Sequence, residues 1–183
     1  RHKRVARVHD QRDTHRLEAS TGEFGSLRCG RGRKLCANHM RETDAAALQQ
    51  LLAQLVMRQG LQQFVLESVT PLNRTVGDAW MRGELQVFEE HLYTEQVQVA
   101  LRAAINAFPR TATGVPRVLL TTFPNEQHGL GLLLVEALLV PEVVHCVSLG
   151  TQTPVEDIRR AAIAHKADIL ALSFSGAFPL RSA

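Results

Sequence analysis

From Thr43 onward, apolar residues recur at helical spacing. Leu48, Leu51, Leu52 and Leu55 lie three or four apart behind Thr43-Asp44, a pair able to cap a helix. Gly60 interrupts this stripe, and Leu61, Phe64, Val65 and Val69 begin a second. Pro71 suits the first turn of a third helix, where a missing N–H costs nothing. That helix is predicted to reach Trp80 or Arg82, with Gly83 as its break. A fourth, from Glu84 to Phe108, carries Phe88, Leu92, Val97, Leu101 and Ile105. Four helices with short breaks predict a bundle over residues 43–110.

The period then changes. Ala112 to Pro116 reads as a linker, and Arg117–Phe123 is a compact β-rich run. A helix is predicted over Gly129–Leu139, and a strand over Val143–Leu149. Pro154 starts a helix to about His165, with Glu156 and Asp157 in the first turn as the helix dipole favours. Ala167–Phe174 is a third strand. Such alternation implies parallel βαβ units in a domain over residues 115–183. The expected fold class is α plus α/β: a four-helix bundle followed by a Rossmann-like, flavodoxin-like domain. A doubly wound sheet usually needs about five strands. Either its last third is absent, or the sheet is completed in some other way.

Residues 1–42 show neither period. The net charge of +3 conceals an asymmetry, because this segment holds 11 Lys/Arg against 5 Asp/Glu and residues 43–183 hold 10 against 13. A basic arm can bind nucleic acid through phosphates, and the plainer expectation is a disordered, solvated tail. Cys29, Cys36 and His39 have no clear fourth partner, so chance explains them better than zinc. Three cysteines, no apolar leader and no run of roughly 20 apolar residues lead to the expectation of a cytoplasmic protein with reduced thiols and no membrane partner.

Between the first strand and its helix lies PNEQHGLG, Pro124 to Gly131. Loops at the carboxyl ends of parallel strands bind ligands. Glu126 and His128 are two apart, so in an extended loop they project the same way. Glu126 can then hold one ring nitrogen of His128 and leave the other as an outward lone pair, as behind metal-binding histidines. Gly131 permits close approach of a backbone or flat ligand. Taken alone, a loop histidine is more often simply solvated.

Glu126-Gln-His128-Gly-Leu-Gly131 resembles the Asp/Glu-x-His-x-x-Gly motif of base-off, His-on cobalamin-binding domains. The resemblance implies that His128 is the lower axial ligand of cobalt, and that Ser173 contacts the displaced nucleotide tail. That family's Gly-Gly motif after a fourth strand has no counterpart. Upstream, Trp80 is followed after nine residues by Glu90-His91, which resembles the W-x9-E-H signature of MerR-type cobalamin photoreceptor regulators, the CarH and LitR group. There a helical bundle caps the upper face of the cofactor. Trp80, Val87, Glu90 and His91 would surround the adenosyl group. Val87, Glu90, His91 and Thr94 do cluster within two helical turns.

The resemblance covers about residues 44–181. It implies adenosylcobalamin or another cobalamin as cofactor, a regulatory rather than enzymatic role, homo-oligomers, and DNA as partner through the basic arm or a winged-helix domain. Two departures stand out. Met81 follows the signature tryptophan where the photoreceptors often have a histidine, and residues 1–42 show no winged helix. The competing expectations are a corrinoid carrier for a methyltransferase, and an antirepressor binding cobalamin or haem without reading DNA.

Overall fold

A computed structural model describes residues 4–8, 44–108, 115–142 and 144–176. These fall into two compact units: a helical one within Arg16–Ala107, and a sheet unit formed from Arg1–His15 and Phe108–Ala183.

In the helical unit, α1 spans Ala45–Gln59. The Asp44 side chain accepts a hydrogen bond from Ala47 N at 2.9 Å, the N-cap anticipated from Thr43-Asp44. Gly60, at φ 77°, ends the helix and returns its N–H to Val56 O. The next helix, α2, runs through residues 61–81 without a break. Leu61–Gln63 is α-helical, Phe64–Val69 is π-helical, and Thr70–Met81 is α-helical again. The expected separate second and third helices are therefore one run. Pro71 has no N–H, and its ring crowds the carbonyl four residues back. The wide turn just before it accommodates both, and Thr70 closes that turn by donating its N–H and its hydroxyl to Val65 O.

Helix α3 spans Val87–Asn106. Gln86 and Glu89 form a capping box, which starts the helix later than Glu84. Phe88 consequently lies exposed in the first turn rather than in the core. Leu48, Leu52, Phe64, Val65, Val69, Tyr93, Val97 and Leu101 are buried almost completely. The Tyr93 hydroxyl donates to Asn73 Oδ1 at 2.6 Å, so its polar tip is satisfied between α3 and α2.

The sheet unit contains β1 (Arg4–Val8), β2 (Arg117–Thr121), α4 (Leu130–Leu139), β3 (His145–Gly150), α5 (Val155–Ala164) and β4 (Ile169–Ser173). A 3-10 turn, Val140–Glu142, follows α4. All pairings are parallel and the order is β1-β4-β2-β3. The three later strands lie where the sequence pattern predicts. Their core includes Val118, Leu120, Leu132 and Ala171, with Cys146 packed against it. Burial, aided by the charge of Glu136, pushes the Cys146 thiol up to about 11.

At residues 4–8 the structure departs from the expectation of a disordered tail. Arg4–Val8 is a strand, in register from Arg4 opposite Ile169 to Val8 opposite Ser173. The outer edge of β4 presents unpaired backbone groups, and a short extended segment satisfies them whatever its charge. The sheet is thus extended from the N-terminal side. Residues 9–43, including Cys29, Cys36 and His39, and most of the linker at Ala112–Pro116 lie outside the described residues.

The strand order sets the site. From β2 the chain crosses to β3 on one side, and β4 pairs on the other. The carboxyl ends of β2 and β4 therefore flank a switch point, the position at which open α/β sheets hold ligands.

Candidate functional site

The chain leaves β2 through Thr122 and turns at Phe123–Glu126. Glu126 N donates to Phe123 O at 3.1 Å, with Pro124 at the second position and Asn125 at φ 69° at the third. Those are the residues a type II turn favours. The turn carries Glu126 inward, where it is 1% exposed.

Four donors converge on this carboxylate. His128 gives Oε1 its backbone N–H at 2.9 Å and its ring Nδ1 at 2.7 Å. Ser175 gives Oε2 its N–H at 2.7 Å and its hydroxyl at 2.8 Å. Burial alone would raise the pKa of Glu126. The hydrogen bonds from Ser175 and His128 outweigh it and hold the group below its ordinary 4.5. An ionised carboxylate only accepts, so Nδ1 of His128 is the donor, and in the neutral ring Nε2 carries the lone pair. The imidazole itself is 67% exposed.

Gly131 and Ser173 also meet. A Cβ added to Gly131 would collide with Ser173 Oγ, so the start of α4 and the end of β4 touch only because residue 131 lacks a side chain. Phe123 and Phe174, the second residue beyond β2 and the first beyond β4, pack edge to face at 5.4 Å between centroids. The structure thus brings together Glu126, His128, Gly131 and Ser173, all singled out from sequence. Two contributors were not singled out. Ser175 lies 49 positions from Glu126. Thr122 has its hydroxyl 2.8 Å from Glu126 O and 2.7 Å from Gln152 N. Neither has a spacing that betrays it. The only hint is a hydroxyl residue just beyond a strand end.

The helical unit holds the second group. Trp80 lies in the last turn of α2 and Val87 opens α3, both more than half exposed with Met81 and Phe88 beside them in sequence. Exposed apolar side chains this concentrated mark a binding surface more often than chance. Glu90 receives His91 Nδ1 at 2.8 Å on Oε2 and the Thr94 hydroxyl at 2.7 Å on Oε1. The His91 ring is 73% exposed. Each unit therefore presents an exposed imidazole held at Nδ1 by a glutamate. Such a nitrogen suits cobalt, iron, copper or zinc. Among the described residues no three His, Cys, Asp or Glu gather into a metal cage. No helix among them is long and apolar enough to cross a membrane.

Residues 33–105 match the protein family described as the B12 binding domain. Over 109 residues, 58% of this chain, the sequence is 37% identical to the HTH-type transcriptional repressor CarH of Myxococcus xanthus. The chain spans about a third of that repressor, 35% of its length. Among solved structures, the methanol:cobalamin methyltransferase complex MtaBC of Methanosarcina barkeri aligns with a TM-score of 0.42 at 16% identity, covering 85% of this chain and 63% of the other. A cobalamin-binding protein of Desulfitobacterium hafniense aligns with a TM-score of 0.39 at 17% identity, covering 78% and 68%.

Proposed function

We propose that this chain binds a cobalamin and serves as a sensor in transcriptional control, with His128 as the lower axial ligand of cobalt. The observation that carries the reading is the buried Glu126 carboxylate 2.7 Å from His128 Nδ1, which leaves the Nε2 lone pair on an exposed ring. Imidazole nitrogen suits cobalt, and a carboxylate behind the ring fixes its tautomer and raises its basicity. The residues present therefore fit the group. The match of residues 33–105 to the B12 binding domain family supports the cofactor. The similarity to the repressor CarH supports the regulatory role.

Gly131 and Ser173 would receive the nucleotide tail beside His128. On the helical unit, Trp80, Val87, Glu90 and His91 would contact the upper ligand, read here as adenosyl. When bound, the cofactor supplies a cobalt–carbon bond that visible light can break. The protein's own part is to hold the imidazole, keep its tautomer and present an apolar surface. No substrate is turned over on this reading. DNA would be contacted through basic residues of the segment 1–42 or through a winged-helix domain, and the sensor would act as a homo-oligomer.

The test is the absorption spectrum of the purified chain with adenosylcobalamin, before and after green light. His128→Ala should move the spectrum toward the water-ligated, base-off form and weaken binding. An unchanged spectrum in that variant would sink the ligand assignment. A wild-type spectrum indifferent to light, combined with methyl transfer from a partner enzyme, would replace the sensor with a corrinoid carrier.

A further inference from the structure

The geometry points to Thr122 as a positioning residue that sets the direction of the His128 imidazole by tying its loop to the turn after β3. Thr122 is fully buried. Its hydroxyl donates to Glu126 O at 2.8 Å and accepts from Gln152 N at 2.7 Å. Only a hydroxyl can play both parts at one atom, since a valine of the same shape does neither. The Thr122 carbonyl also accepts from Thr153 N at 3.3 Å. One residue thus holds the backbone of two loops that are 26 or more positions apart in sequence.

The consequence reaches the imidazole through short, stiff links. Glu126 N is already held by Phe123 O, so fixing Glu126 O as well pins both ends of that residue. Its carboxylate then stands where it can take both donors of His128. On the far side, Gln152 sits at φ 58°, two residues after Gly150 at φ 80°, a left-handed conformation that a glutamine adopts only when its surroundings hold it there. The Gln152 N–H to Thr122 bond is one such restraint. Thr151 Cγ2 lies 3.1 Å from where a side chain at Gly129 would begin, so the same turn abuts the residue after His128. A shift of the 150–153 turn would therefore be felt at His128 through two routes, and Thr122 is the hydrogen-bonded one. Thr121 makes a separate bond to Gly150 O, which keeps the turn attached to β2 when Thr122 is changed.

The inference holds without the cofactor assignment, because every readout is on the ligand-free chain. Thr122→Val, Thr122→Ser and wild type are compared by nitrogen-edited NMR of the imidazole and by hydrogen exchange of the Gln152 amide. The valine variant should speed Gln152 exchange by roughly tenfold. It should also lower the share of the Nδ1–H tautomer of His128, and the serine variant should restore both. A valine variant with native circular dichroism and an unchanged His128 tautomer would overturn the role, as would a serine variant that behaves like valine. If Thr122→Val does not fold, Thr122→Cys, a poor donor and acceptor of similar size, takes its place with the same two outcomes. Because cobalamin is absent throughout, failure here leaves the ligand assignment standing, and loss of that assignment leaves this one standing.

Discussion

Ser173 Oγ fills the space in which a side chain at Gly131 would begin, so the first turn of α4 and the end of β4 fit each other through a missing methyl. Gly131→Ala should therefore displace the Ser173 hydroxyl from its present rotamer, at a cost of roughly 0.5–1.5 kcal/mol. Replacing Ser173 by alanine as well should remove the collision. The double variant should then keep the gain of roughly 1 kcal/mol that alanine has over glycine within a helix. Denaturant melts of the two single variants and the double variant measure this. Additive losses would mean that the two residues do not meet.

Glu126 gives the sheet unit a pH dependence of known sign. Its folded pKa is depressed, so its hydrogen-bonded anion stabilises the fold fully above the unfolded value near 4.5. That contribution is lost as pH falls through the lower folded value. Melting temperature should decline with acid across this window. Glu126→Gln should weaken the unit at neutral pH by about 1–3 kcal/mol, since an amide cannot accept from all four donors, and should flatten the acid limb. An acid limb of undiminished slope in the glutamine variant would count against it. At the ligand, Glu126→Ala should reduce cobalamin affinity about 10–100-fold, less than removal of His128 itself.

Met81 stands exposed after Trp80 where the resembling photoreceptors often carry histidine. A thioether is a soft ligand and holds oxidised cobalt weakly. Illumination of the adenosylcobalamin-loaded chain should thus leave water on the upper face. Met81→His should yield a stable bis-histidine spectrum. Should wild type already give that spectrum, His91 is the donor to examine, since it too is an exposed imidazole held at Nδ1.

Pairing of β1 with β4 changes what truncation should do. Removing residues 1–8 should lower the stability of the sheet unit and speed amide exchange along β4, because its outer edge loses its partner. If the basic residues of 1–42 contact DNA, they should do so through phosphates, with steep salt dependence and little sequence preference. Gel-shift titrations at two salt concentrations on the full chain would show it. Tight binding insensitive to salt would point instead to base readout.

Local pattern was enough to mark residues 45–106 as helical and to place the three later strands, because burial of one face imposes a period on the residues that make it, but not to set where each helix starts and stops. The contact between Glu126 and His128 was legible as well, since a carboxylate two residues from a histidine in an elbow after a strand is a short-range arrangement, whereas the ligand role came from the resemblance. Trp80, Val87 and the Glu90-His91 pair stood out only through their resemblance to a photoreceptor signature, since spacing alone reads them as a core residue and a surface pair. Tertiary structure alone decided the rest. Pro71 lies inside a continuous helical run rather than opening a new helix because a π-helical turn built from Phe64–Val69 absorbs it, and that turn depends on how its apolar residues pack. Arg4–Val8 is a strand because β4 offers it an edge, a partner more than 160 positions away. Ser175 and Thr122 join the site because strand order brings the ends of β2, β3 and β4 side by side, and hydrogen bonds across such gaps leave no periodic trace in the residues that make them.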